Sequence, residues 1–247
     1  MSTFLLPKTI IKQVDKFRKH CLWRGSDDNN RKPPRTAWPM VYVPKDEGGL
    51  GVLNLRTHNE CLLLKHLHKI YNHQDIPWVQ LVWHLYYTND RLPKLSANFR
   101  GSLWWRDLLK FLDSFKGMAT VSVKDGKSSY LWLDLWNGRL LLQDYLELNS
   151  FGKNQFILVN VPKNIPVLHS LFHLPLSSKA YEQLQELQIL FNNTHLIQDP
   201  NQWTYLWGSS IFSSRKAYRV LIGHHKIPPA FSWFWKSVCQ NKHKFSF

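Results

Sequence analysis

Apolar positions recur at three- and four-residue spacing along most of the chain, the period of helices packed on one face. Ile10, Val14, Phe17 and Cys21 predict a helix over 8–23 with that side turned inward, and Lys12, Lys16 and Lys19 fall on the opposite side. Thr57-x-x-Glu60 has the form of a capping box, and Cys61, Leu64, Leu67 and Tyr71 give the helix after it, over 58–71, one apolar face. Asp75 and Pro77 signal the start of another, with Val79, Val82, Trp83 and Tyr86 as its stripe. Ser102 is placed to cap a helix carrying Trp105, Leu108, Leu109 and Leu112. Tyr181, Leu184, Leu187 and Leu190 predict a helix over 178–191, and Ser213 is placed to cap one with Ala217, Val220 and Leu221. A last helix is expected from near Pro229, with Phe231, Trp235 and Val238.

The period changes to two in a few places. Residues 119–133 read as a β-hairpin, with ATVSV and SSYLWL as strands and Asp125-Gly126 in the turn. Trp203, Tyr205 and Trp207 alternate as a second short strand segment. Residues 24–36, with Pro33 and Pro34, and residues 149–178, with Pro162, Pro166 and Pro175, are irregular. The fold class that follows is mainly α, or α+β, with one or two short β-hairpins.

The stretch PKDEGGLGVLNL at 44–55 raises the question of a phosphate-binding loop. A dinucleotide fingerprint needs G-x-G-x-x-G and a P-loop needs G-x-x-x-x-G-K-[ST]. Gly48-Gly49-Leu50-Gly51 fits neither, because Lys45 precedes the glycines and no Lys-Ser/Thr follows. Gly48, Gly49 and Gly51 are therefore read as a structural turn that needs positive φ, with Leu50, Val52, Leu53 and Leu55 docking into a core.

Charge sharpens the functional reading. Lys+Arg number 32 against 17 Asp+Glu, a net charge of +15, which points to a polyanionic partner such as nucleic acid. The 12 Trp at helical or strand spacing are read as core residues before stacking platforms. Cys21, Cys61 and Cys239 lie far apart and spell neither a disulfide framework nor a zinc site, so a reducing compartment is expected. The N-terminal apolar patch is short and broken by Pro7, and no run of about 18 apolar residues occurs. The expected location is nuclear or cytoplasmic, with no secretion and no membrane partner.

Candidate catalytic constellations are weak. Asp27-Asp28 sits in a turn-rich stretch with no third acid nearby. His169 and His173 have i, i+4 spacing, but Ser170 stands where a metalloprotease helix needs Glu, and Pro166 and Pro175 oppose a long helix. His224 and His225 would diverge on a helix, and no G-x-S-x-G occurs. No metal, no cofactor and no catalytic residue is expected.

Several stretches together resemble a known family. They are LPKTIIKQVDKFRKHCLWRG, WPMVYVPKDEGGLGVLNLRTHNECLLLK, SLWWRDL, VKDGKSSYLWLDLW, W-x-Y-L-W-x(4)-F-S-S-R-K-A-Y and FSWFWKSV. This order is similar to the C-terminal part of plant non-LTR (LINE-type) retrotransposon reverse transcriptases, RNA-directed DNA polymerases, over nearly the whole chain. The resemblance implies a thumb-like helical bundle over 1–75, a Trp-rich connector over 76–175 with a hairpin near 119–133, and over 176–247 a helical segment with the truncated start of a zinc-binding domain. The family's polymerase carboxylates lie upstream of this region, and Asp27-Asp28 does not match their motif.

The resemblance therefore implies a fragment without polymerase activity, at most a non-specific binder of RNA or DNA backbone, RNA–DNA hybrid included, and a potential partner of the missing polymerase palm. Lys12, Lys16, Lys19, Arg24, Arg31, Lys32 and Arg35 are the backbone-binding candidates. The alternative is a retroelement remnant with no activity.

Overall fold

The structure, a computed structural model, describes residues 4–25, 36–87 and 101–223. The elements begin with α1 (Lys8–Arg24), α2 (Trp38–Tyr42), α3 (Leu55–Tyr71) and α4 (Pro77–Tyr86). Next come α5 (Leu103–Leu109), α6 (Leu112–Gly117), β1 (Ala119–Ser122), α7 (Leu141–Asp144), α8 (Leu146–Ser150) and α9 (Asn160–Asn164). The last are α10 (Ser178–Asn193), β2 (Gln202–Tyr205) and α11 (Ser214–Ile222). Among the described residues the protein is mainly helical with one small antiparallel sheet, β1 against β2. It divides into two compact units, Met1–Leu63 with Ser213–Phe247, and Leu64–Phe212. The helix expected from Pro229 lies outside the described residues.

In the first unit, α1 turns a different face inward from the one its apolar spacing predicts. Ile11, Asp15, Arg18 and Leu22 are half-buried, whereas Ile10, Val14, Phe17 and Cys21 are exposed. The reason is polar anchoring. Arg18 bonds Asp15 at 2.8 Å and donates to the Leu53 carbonyl at 2.6 Å, while Tyr42 Oη donates to the other Asp15 oxygen at 2.8 Å.

The glycine stretch folds back on the segment before it. Gly51 N donates to Val43 O at 2.8 Å and Val52 N to Val41 O at 3.1 Å, which buries Val41 and Val43. Leu50, Val52 and Leu55 are only half-buried and Leu53 is exposed, so the valines take the core positions expected of them. Gly48 and Gly51 have φ of 86° and 64°. A Cβ on Gly49 would stand 2.0 Å from Val43 O, which no side chain tolerates.

Helix α3 starts three residues ahead of the expected position. Asn54 is its cap, its Oδ1 accepting from Arg56 N and Thr57 N, and Glu60 pairs with Arg56 rather than completing a capping box. The last described helix of this unit, α11, is capped by Ser213, whose Oγ accepts from Lys216 N, as expected. It buries Ala217, while Val220 and Leu221 are exposed.

In the second unit, Ser102 caps α5 by accepting from Trp105 N. Asp75 does not cap α4; its carboxylate accepts from Gln80 Nε2. One apolar cluster gathers Leu131, Trp132, Trp136, Leu141, Tyr145, Leu148 and Phe172 with Ala180, Leu184, Leu187 and Phe191 of α10. Tyr181, expected on that face of α10, is exposed, and Phe191 takes up the stripe at its far end. Among the ten described tryptophans, Trp105, Trp132, Trp136 and Trp203 are buried and none is fully exposed.

The hairpin expected over 119–133 does not form. β1 is a strand, but it pairs with β2, Ala119 opposite Tyr205 and Val121 opposite Trp203. The chain does turn at Gly126, with φ 68°. What redirects it is the buried Asn201. Its Oδ1 accepts from Lys124 N at 2.7 Å and Gly126 N at 3.0 Å, and its Nδ2 donates to Ser128 Oγ and Ser129 Oγ. The loop is wrapped around this amide, so Ser129 and Leu131 meet Val159 and Ile157 instead of β1.

Candidate nucleic-acid interface

The first unit's cations are arranged by how α1 is held. With Asp15 and Arg18 turned inward, the helical period sets Lys12, Lys16 and Lys19 along the flank next to Asp15, and all three are exposed. Neither Lys12 nor Lys16 has an ion-pair partner among the described residues. Lys19 Nζ lies 5.4 Å from the centre of the Trp38 ring and the Arg18 guanidinium carbon 5.7 Å from it. Both distances are within cation–π range. Trp38 is half-buried and packs edge-on against Tyr42, which fixes its ring beside the helix.

Arg24, in the last turn of α1, is half-buried, and Arg31, Lys32 and Arg35 lie outside the described residues. The structure thus brings Lys12, Lys16 and Lys19 onto one helix and gives Arg24 a less open position.

Two further cations of this unit do not stand out from spacing. Arg215 and Lys216 in the first turn of α11 are exposed. Helix α11 is tied down by Tyr218, whose Oη accepts from Asn54 N at 2.8 Å, and by Arg219, 3.4 Å from Asp46. The run Ser213-Ser214-Arg215-Lys216 is legible as a cap followed by two bases, the one available signal.

The glycine stretch offers no amide cradle for phosphate. Glu47 N and Gly49 N both donate to Pro44 O, Gly48 N donates to Lys45 O, and Gly51 N donates to Val43 O. Donors already satisfied within the turn leave its shape, not its amides, as its contribution.

The buried cysteine of this unit is not set up as a nucleophile. Cys61 is buried, and burial pushes its thiol up to about 12, with the Glu60 carboxylate adding to the rise, so it stays a protonated packing group. In the second unit His169 lies in a single turn over Leu168–Leu171 that ends at the extended Phe172, and His173 follows with its N–H on Phe151 O, so the two do not share a helix face.

Comparison with known proteins gives partial matches. No family model matches the chain and no solved structure matches it. Over 148 residues it is 28% identical to the Arabidopsis thaliana protein named "Putative ribonuclease H protein", a match covering 58% of this chain and 24% of the relative's own length. Over 137 residues it is 28% identical to an uncharacterized mitochondrial protein of the same plant, covering 55% of this chain and 88% of that relative.

Proposed function

We propose that this chain is a plant retroelement-derived segment that grips the sugar–phosphate backbone of nucleic acid, with RNA–DNA hybrid as a natural ligand. The observation that carries the reading is the flank of α1 beside Asp15, where Lys12, Lys16 and Lys19 are all exposed while Asp15 and Arg18 hold the helix in place. The partial similarity to a plant protein named for ribonuclease H supports a nucleic-acid context. The net charge of +15 supplies a long-range field that favours a polyanion.

In this reading the lysines displace counterions from phosphates, an interaction that positions the protein without reading sequence. The side chains that approach the ligand are ammonium groups on flexible stems, which suit point contacts with phosphate rather than bidentate base readout. The reading assigns no catalysis to this chain, and the main alternative is a segment that no longer binds nucleic acid at all. Fluorescence anisotropy with a labelled RNA–DNA hybrid at low salt separates the two. Binding that weakens steeply as salt rises is the expected result, and a flat curve overturns the proposal.

A further inference from the structure

Helix α1 carries four lysines and one aromatic ring in a single line. Lys8, Lys12, Lys16, Lys19 and Trp23 follow one another at steps of four, four, three and four residues. At about 100° per residue all five fall within an arc of about 80°, and the line runs roughly 22 Å along the helix. The four lysines are exposed and Trp23 is half-buried. Trp23 lies outside both the anchored side, with Ile11, Asp15, Arg18 and Leu22, and the open apolar stripe of Ile10, Val14, Phe17 and Cys21. Its ring also differs from the others. Each of the other nine described tryptophans has an aromatic ring against it, such as Tyr42 beside Trp38 and Tyr205 beside Trp207. No aromatic ring meets Trp23 among the described residues.

Resting on the backbone-binding reading above, we propose that Trp23 is a base-stacking residue, and that the ligand of this side of α1 is single-stranded nucleic acid or the unpaired stretch of a partly paired one. Lysine ammoniums neutralise phosphates and carry no information about the bases. An aromatic face does engage the bases, and because every base has a π-face the contact is indifferent to sequence. A base inside a duplex is already stacked on its neighbours and has to be pulled out, whereas an unpaired base is available without that cost. The line on α1 has the two parts of a single-strand site, cations that track the backbone and a ring that takes a base. Lys19 stands one turn before Trp23, with its ammonium 5.4 Å from the centre of the Trp38 ring. A positive charge is thus held close to the stacking ring, where the phosphate adjoining a stacked base needs one. A packing role accounts for the position less well, because Trp23 has no ring partner and stands on the side of the helix lined with lysines.

The test uses the full chain and two fluorescein-labelled strands of about 12 nucleotides, one of thymidines and one of abasic units. Both carry the same phosphates, so the lysines meet the same charge and only the bases differ. In anisotropy at low salt the thymidine strand should bind at least about fivefold more tightly. Trp23→Leu should bring it down to the affinity of the abasic strand, and the abasic strand should bind parent and variant equally. Equal affinities of the two strands for the parent chain overturn the inference and leave the backbone reading standing, and that comparison needs no variant. A preference that survives Trp23→Leu overturns it as well. Should Trp23→Leu lower the urea midpoint, Trp23→Phe decides in its place, because a smaller ring should give an intermediate preference, and one equal to the parent's overturns the inference. Failure of both strands to bind while the RNA–DNA hybrid does overturns this inference alone. Failure of the hybrid too overturns the backbone reading with it.

Discussion

Lys116 Nζ stands 2.7 Å from each carboxylate oxygen of Asp134, and both side chains are taken almost entirely out of water. The ammonium lies 4.3 Å from the centre of the Tyr130 ring, with the Tyr71 and Trp203 rings at 5.6 and 5.9 Å. Tyr130 N donates to the same carboxylate at 2.7 Å. The pair is a charged joint between α6 and the segment after Gly126, lined by aromatic faces. Removing one partner strands the other charge in the core. Asp134→Leu and Lys116→Met should each cost about 3–5 kcal/mol, and the double variant Lys116→Met/Asp134→Leu should recover a good part of that stability. Urea unfolding of the four proteins completes the cycle, and additive effects would contradict a coupled pair.

His68 is buried against Tyr205, Phe212, Asn72 and Gln74. Its Nδ1 is 2.6 Å from Tyr205 Oη and 3.0 Å from Asn72 Nδ2, Gln74 Nε2 is 3.3 Å from its Nε2, and its ring stacks on Phe212. Burial, then Lys65 and Lys69 on its own helix, lowers its pKa from 6.5 to about 4. The folded state holds the imidazole neutral and the unfolded chain protonates it first. The contribution is therefore intact above pH 6.5 and declines as pH falls through the window from 6.5 to about 4. At its full extent it amounts to about 3 kcal/mol. His73 is shifted in the same direction, chiefly by burial, so the readout is a difference. Between pH 7 and 5 the His68→Gln variant should lose less stability than the parent protein, measured by urea midpoints. An equal decline would assign the acid sensitivity elsewhere.

The helices are legible in the sequence because local signals set them. Ser102 and Ser213 cap where their positions predict, and Ala180 through Phe191 keep one helical face. The two largest failures share a cause, a polar group far away in sequence that outranks the local pattern. Asn201 turns the 124–129 loop away from β1, although Asp125-Gly126 carries a hairpin signal. Asp15, Arg18 and Tyr42 choose the inward face of α1 over its apolar stripe. Lys116 and Asp134 are 18 residues apart, and no spacing rule connects them. For the candidate interface, the period alone shows that Lys12, Lys16 and Lys19 share one side of α1, but not that this side lies next to an inward-turned Asp15. Arg215 and Lys216 are not readable from it, because only folding assigns α11 to the unit that holds α1.

Two glycines make opposite tests of backbone design. An added methyl at Gly49 meets Val43 O at 2.0 Å, and the backbone N–H of Gly49 already bonds Pro44 O. Gly49→Ala should destabilise by more than about 2 kcal/mol, because the turn has to open to admit it. Gly117 ends α6 with nothing within 4 Å of an added Cβ and without positive φ. Gly117→Ala should stabilise by about 0.5–1 kcal/mol through a less flexible unfolded chain. Thermal or urea unfolding of both variants checks the pair, and a neutral Gly49→Ala would show that the turn is softer than its geometry implies.

The lysine face makes a quantitative prediction about salt. Removing one lysine–phosphate interaction should lower the magnitude of the log–log slope of affinity against salt by about 0.9 on duplex DNA. Lys12→Gln and Lys16→Gln remove exposed charges with no ion-pair partner among the described residues, so each should give close to that full decrement. Lys19→Gln should give less, because its ammonium is partly engaged with Trp38 at 5.4 Å. Lys179 is exposed on α10 in the other unit, and Lys179→Gln should leave the slope unchanged. Anisotropy titrations of one duplex at several salt concentrations give all four slopes. Equal decrements from Lys179 and Lys12 would mean that net charge, and not the face of α1, drives binding. A lower affinity with an unchanged slope would point to a conformational effect, since a phosphate that is no longer neutralised has to show in the slope.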